Sequence, residues 1–249
     1  MAWVLDEDKL GQLVPPPPIG IAPVDMPLGH TLPPLGTRVR AYEPVYGEAE
    51  FILAFGVAAS TLGDLTLINP YTGLATRGLT TQRGLMGVAI ANANTSTTAM
   101  SWYGVSGSFP VRSTAAAIGL PMYQSAGAGV ALSTVSATNM VNNGTFGSVH
   151  NFTIPTKICG LTNGSTDIIV SNIDGLFVGQ VLTGTGIGGG ATITAIGYGG
   201  LYSGVPGPLV GHITVSVAST ATQTSTVTFT ATGFAVANFA TTGHAAGLG

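Results

Sequence analysis

Two runs in the C-terminal third of the chain, Ile213-Thr-Val-Ser-Val217 and Thr226-Val-Thr-Phe-Thr230, alternate apolar and hydroxyl side chains residue by residue. Successive side chains of a strand point to opposite faces, so each run places one face in a core and a Thr/Ser face outside. Helical periodicity is missing throughout. Ser113 to Ile118, about one turn and a half, is the best helix candidate. The expected fold class is all-β.

From Val45 onward, short β-prone runs are cut by turns: Glu50 to Val57, Asp64 to Ile68, Leu85 to Ala91, Ser101 to Val105, Phe109 to Val111, Pro121 to Tyr123 and Gly129 to Leu132. Asn69-Pro70 and Tyr71-Thr72-Gly73 read as a turn. A second block begins near Ile154, with runs at Ile168 to Val170, Gln180 to Thr183, Ala191 to Ile196, Ile213 to Val217 and Ser225 to Thr230. Regular spacing of short strands with turn residues between them implies two small β-barrels or β-sandwiches. Clustered glycines at 184 to 190 and 197 to 200 mark wide loops, and Tyr198 to Pro208 reads as an exposed excursion. The expected organisation is an extended Pro-rich arm over 1–44, a β domain over 45–153, a distal β domain over 154–233 and a Gly/Ala-rich tail over 234–249.

Nine of the 15 prolines lie in residues 1–44. Proline fixes φ and removes a ladder donor, which makes the segment extended. Pro15, Pro16, Pro17 and Pro18 are followed by Ile19, Ile21, Val24, Met26, Leu28, Leu32 and Leu35, side chains that are costly to leave in water. The arm is therefore expected to lie on a partner subunit.

Charge is scarce: 7 Lys+Arg and 10 Asp+Glu make 7% of the chain, against about 25% in a typical soluble domain. Hydrophobic residues at 45% argue against wholesale disorder. Beyond Arg112 only Lys157, Asp167 and Asp174 are charged, and from Gly175 to Gly249 nothing is. Such a tract must be covered by neighbours or wetted by hydroxyls and amides, as in a component of an assembly. A net charge of -3 without a basic cluster gives no footprint for nucleic acid. Every apolar run is interrupted before the roughly 18 residues that a spanning helix requires. The start, Met-Ala-Trp-Val-Leu and then Asp6, Glu7 and Asp8, lacks the pattern of a signal peptide. A single cysteine, Cys159, excludes an intrachain disulfide and a Cys-paired zinc site.

The motifs point away from catalysis. Gly184-Thr-Gly186-Ile-Gly188-Gly189 fits Gly-x-Gly-x-x-Gly formally, but a β sequence follows instead of the helix whose N-terminus would face a pyrophosphate. His30, His150, His212 and His244 are dispersed and not at metal-ligand spacing. Ser106 in Gly104-Val-Ser-Gly-Ser108 lacks the final glycine and the helix of a nucleophile elbow. Cys159, between Ile158 and Gly160, suits a buried small hydrophobe. The sequons at Asn94, Asn143, Asn151 and Asn163 are chance matches in an Asn/Thr-rich chain, and two Thr-x-Thr pairs are too few for an ice-binding array. No catalytic residue, cofactor or metal is expected. Desolvated aromatics and arginines carry most contact energy at interfaces, so the interface candidates beside the arm are Arg38, Arg40, Arg77, Arg83, Trp102, Tyr103 and Arg112, with a core position as the alternative for Trp102.

Several runs resemble the small β decoration (cement) proteins of tailed-phage capsids: Gly47-Glu-Ala-Glu-Phe-Ile-Leu-Ala-Phe-Gly-Val-Ala58, Gly63-Asp-Leu-Thr-Leu-Ile-Asn-Pro70, Gly87-Val-Ala-Ile-Ala91, Ser101-Trp-Tyr-Gly-Val-Ser-Gly107 and Gly119-Leu-Pro-Met-Tyr-Gln-Ser-Ala-Gly-Ala-Gly129. The resemblance spans about 100 residues. Val178-Gly-Gln-Val-Leu-Thr-Gly-Thr-Gly-Ile187, Ala191-Thr-Ile-Thr-Ala-Ile196 and Ile213 to Thr222 are similar to a β module of virion surface and tail-associated proteins, departing from it at Gly189-Gly190 and at the Tyr198 to Pro208 insert. The two resemblances imply a non-enzymatic virion protein on the outer capsid surface, with the major capsid protein as partner and a homotrimer as the oligomer. A receptor- or glycan-binding head or tail fibre module is the alternative, with Trp3, Tyr198 and Tyr202 as sugar platforms for a host surface glycan.

Overall fold

The computed structural model describes Val4–Leu5 and residues 34–56, 61–69, 71–78, 84–90, 100–125, 129–133, 140–198 and 211–246. The fold is all-β, with two curled sheets forming two β domains and no helix among the described residues. Residues 113–115 finish a strand and 116–120 form a turn, so the best helix candidate in the sequence is not helical either. The chain divides into a unit spanning Asn151–Thr232 and a unit assembled from either side of it, Trp3–His150 with Gly233–Gly249. In chain order the first of these is an insertion, and the second is its host.

The host contributes β1 (Val4–Leu5), β2 (Arg38–Glu43), β3 (Gly47–Phe55), β4 (Leu65–Ile68), β5 (Ala75–Arg77), β6 (Gly84–Ala89), β7 (Met100–Ala115), β8 (Pro121–Gln124), β9 (Ala131–Leu132) and β10 (Met140–Phe146). The insertion contributes β11 (Phe152–Leu161), β12 (Asp167–Val170), β13 (Val181–Thr183), β14 (Ile193–Tyr198), β15 (Gly211–Val215) and β16 (Gln223–Ala231). The host is then completed by β17 (Phe234–Ala246).

Host strands run in the order β1-β2-β3-β7-β9-β8-β10-β17-β6-β4-β5, with β7 also paired to β17 and β6. The long β7 is central because its first half pairs with β3 and β6 and its second half with β17 and, in parallel, β9. The sequence suggests two strands here, 101–105 and 109–111, whereas the chain bends without breaking. Opposite Glu50 and Phe51 stand Ser106 and Gly104, so Val105 is an extra residue, and the strand re-aims there. Gly107 follows at φ 111°, where an added Cβ would sit 2.6 Å from the Glu48 carbonyl oxygen. At Gly104 a Cβ would fall 2.3 Å from the Phe109 ring. Phe109 uses that space to meet Phe51 edge-on at 5.6 Å and Phe239 at 6.2 Å.

Two boundaries differ from the sequence reading. The segment expected to be arm up to residue 44 contains β2, which pairs with β3 over its whole length. Its turn is fixed by the buried Glu43 carboxylate, which accepts the Val45 and Tyr46 N–H groups at 2.7 and 2.9 Å. The 234–249 tail is instead largely β17, hydrogen-bonded to β7, β10 and β6. Its alternation was hidden because the inward positions Ala235 and Ala237 carry methyls, and only Phe239 announces a core face.

The insertion orders its strands β13-β16-β11-β12-β15-β14, all antiparallel. Edge strands expose unpaired amides, and this sheet curls until its two edges meet. Gly179 donates to Ile193 at 2.8 Å, Ile193 to Gln180 at 2.9 Å and Leu182 to Ala191 at 2.9 Å. Ile154, Cys159, Leu161, Ile168, Val170, Leu182, Ile213, Val215, Val227 and Phe229 fill the interior. The expected alternation thus holds, with Thr226, Thr228 and Thr230 on the other face of β16. Lys157 is the exception among the inward residues of β11, and its Nζ donates to Asn172 Oδ1.

Candidate functional site

The expected interface residues part company in the structure. Pro15, Pro16, Pro17, Pro18, Ile19, Ile21, Leu28, Leu32 and Arg83 lie outside the described residues. Arg38 and Arg40 occupy exposed positions of β2, and Arg38 pairs with Glu50 at 2.7 Å. Trp102 and Tyr103 are not surface residues: they are 5% and 2% exposed. Their strand is covered on both sides, Trp102 standing opposite Leu53 and Tyr103 opposite both Ile52 and Ala89. Tyr103 also spends its hydroxyl on the Phe55 carbonyl at 3.4 Å.

Arg77 and Arg112 converge on one fully buried carboxylate. Asp64 Oδ2 lies 2.8 Å from Arg77 Nε and its Oδ1 2.8 Å from Arg112 Nη1, and Oδ2 also accepts the Thr61 N–H at 2.9 Å. The turn before β4 carries Asp64, the end of β5 carries Arg77 and the second half of β7 carries Arg112, so the knot ties the paired β4 and β5 to β7. Burying a carboxylate is tolerable only when it is paired and hydrogen-bonded, and both conditions are met here. Two guanidinium groups on one carboxylate leave a formal surplus of one positive charge, on side chains 26% and 36% exposed.

The outer face of the insertion carries a groove of about 500 Å³. The register lines up Thr224 of β16, Gly160 of β11, Ile169 of β12, His212 of β15 and Gly197 of β14 in one lateral row. Gly160 has no side chain to fill its place in that row, and the depression lies between Thr224 on one side and Ile169 and His212 on the other. Asp167 and Gln223 are further lining residues. Asp167 accepts the Thr214 hydroxyl on Oδ1 at 3.2 Å, and Gln223 donates its amide to the Thr185 carbonyl at 2.8 Å. Their remaining oxygens and the exposed Thr224 hydroxyl border an apolar spot, Ile169, which is 45% exposed.

The sequence looked for sugar platforms elsewhere. Trp3 and Tyr202 lie outside the described residues, and Tyr198 is placed only by its backbone at the end of β14. The groove was missed because its residues are scattered over 160–224. The usable signal was the period of two, which sends Asp167 and Ile169 to one face together with the outward position His212. Among the described residues no group of three or more His, Cys, Asp or Glu could hold a metal ion. Cys159 is fully buried, and that burial pushes its thiol up to about 12, which keeps it a neutral packing group. Comparisons of the chain with known protein families, with curated proteins and with solved structures return no match.

Proposed function

We propose that this chain is a non-enzymatic structural protein of a phage virion, bound to the outer capsid surface, where it cements neighbouring capsomers. The host unit docks on the major capsid protein as a homotrimer, and the inserted unit stands as an added module. What carries the reading is the placement of the runs that resemble decoration proteins. They fall on β3, β4, β6, β7 and β8 and their adjoining turns, all within the host unit, where β3 neighbours β7, β7 neighbours β6 and β6 neighbours β4. The charge-poor composition, with 7% of the chain charged, adds support, since a surface with few charges suits a protein held in a lattice. Surface from Tyr42, Val45, Tyr71 and Leu74 is exposed on the same unit and supplies apolar contact area.

A protein that binds the assembled shell selectively stabilises it by mass action. Adding the purified chain to capsids that lack it is expected to raise the temperature at which the particles release DNA, and imaging of the particles should add density at threefold positions. Unchanged shell stability together with altered adsorption to cells would replace cementing by the fibre or adhesin reading. Deleting residues 1–36 tests the arm: assembly or capsid attachment should weaken while both β units stay folded.

A further inference from the structure

We propose that the groove over Gly160 binds one neutral sugar unit of a surface polysaccharide, a second function separate from shell cementing. Glycine in the interior of a strand weakens it, and it commonly marks a bulge or a place where a ligand or another backbone approaches. Gly160 has no bulge: its register runs unbroken from Lys157 to Leu161 against β16. Its backbone does not enter the left-handed region, and a Cβ added there would meet nothing nearer than Ile169 Cβ at 3.8 Å, an ordinary contact. Gly197, at the far end of the same row, is equally unconstrained, with His212 Cβ at 4.0 Å as its nearest neighbour. Among the described residues nothing crowds either position, and between them the two glycines leave open space beside Ile169 and His212 on the outer face.

The lining residues select the ligand class. An aliphatic side chain beside an open floor suits the C–H face of a pyranose. Asp167 Oδ2, Gln223 Oε1, the Thr224 hydroxyl and the His212 ring are spread around that floor and offer acceptors and donors to sugar hydroxyls. Among the described residues no lysine or arginine lines the groove, while one carboxylate does, which disfavours uronates, sialylated sugars and phosphates. Among the described lining residues there is no Trp, Tyr or Phe to stack on a sugar, so a single unit should bind at about the millimolar level, and several copies on one particle would add avidity.

The test uses the full chain. Saturation-transfer NMR against methyl glucoside, methyl mannoside and, as the acidic comparison, glucuronic acid reads the single unit, and retention on immobilised dextran and mannan reads the polymer. Expected is binding of at least one neutral sugar and of a polymer containing it, reduced tenfold or more both by Gly160→Val and by Asp167→Ala. Valine is a good strand residue with room at 160, so an unchanged melting temperature in Gly160→Val separates a filled groove from a lost fold. The proposal is overturned if no neutral sugar binds, if binding ignores both substitutions, if acidic sugars bind in preference, or if free glycosides bind and no polymer does. Shell stabilisation by Gly160→Val should equal that of the parent chain, so failure of the groove and failure of the cementing role are read separately.

Discussion

The two units solve the same problem, a β fold with few charges, by different means. The insertion is closed over 82 consecutive residues, Asn151–Thr232. Its core is a period-two pattern, and its edges are hydrogen-bonded to each other. The host gathers strands from both ends of the chain. Ser108 Oγ donates to Asn238 Oδ1 at 2.8 Å across a separation of 130 residues, and the host buries Asp64 between two arginines brought from separate strands. Local closure makes a unit that can be inserted into another chain, whereas distant pairing makes a unit that cannot form until its last strand has been synthesised.

The largest effect should follow from cutting that dependence. A chain ending at Thr232 lacks β17, and β7, β10 and β6 each lose a neighbour in the host sheet. The host is expected to lose cooperative unfolding altogether, while amides of 151–232 keep their hydrogen-exchange protection. Protection lost equally in both units would mean that the insertion depends on its host.

Core substitutions should then separate the units at a smaller scale. Asp64→Ala removes a buried carboxylate, leaves the cations of Arg77 and Arg112 facing each other and frees the Thr61 N–H. Breaking a buried ion pair typically costs about 3–5 kcal/mol. In denaturant titration the host should lose about that much and the insertion nothing. Phe229→Ala, on a fully buried ring in β16, is the mirror experiment, with a loss of about 3–5 kcal/mol confined to the insertion. A shared transition in either case would show that the two units unfold as one.

These contrasts also explain what was legible in the sequence. Strands such as β15 and β16 could be read because large apolar residues alternate with hydroxyls and one face alone is wet. In the host, β7 is covered on both faces, so Trp102 and Tyr103 carry no alternation that distinguishes a core pair from a surface pair. In β17 the inward side chains are methyls, and glycine and alanine are poor strand formers, so local preference gave no sign of a strand held by long-range pairing. Arg77 and Arg112 stood out as cations, but their common partner Asp64 could be found only once β4, β5 and β7 were placed. The groove was illegible for a related reason: Gly160 means nothing until Thr224 and Ile169 are its lateral neighbours.

A smaller substitution tests the bend in β7. Gly104→Ala puts a methyl where the Phe109 ring now lies, and overpacking of that kind costs about 1–3 kcal/mol. The same substitution at Gly160, where nothing comes within 3.4 Å of the new carbon, should leave stability within about 0.5 kcal/mol. Comparable losses at both positions would remove the distinction between a glycine held by packing and one left open.

The mildest contrast is with alkali. Burial raises the Cys159 thiol from 9.0 to about 12, the nearby Lys157 acting in the opposite sense. The unfolded chain therefore releases this proton at a lower pH than the folded insertion does. Stability from the neutral thiol is intact below about pH 9 and is lost as pH rises from there towards 12. The slope is at most about 1.4 kcal/mol per pH unit. In the host the corresponding group is Tyr46, whose hydroxyl is raised above its usual 10.0 first by burial and then by the charge of Glu43, so its loss begins roughly one unit higher. Cooperative unfolding followed from pH 8 to 11 should weaken the insertion first and the host later. Cys159→Ser should remove the early part of the decline from the insertion alone, and Tyr46→Phe the later part from the host alone. If Cys159→Ser left the alkaline decline of the insertion unchanged, another group would have to supply the proton that distinguishes the two units.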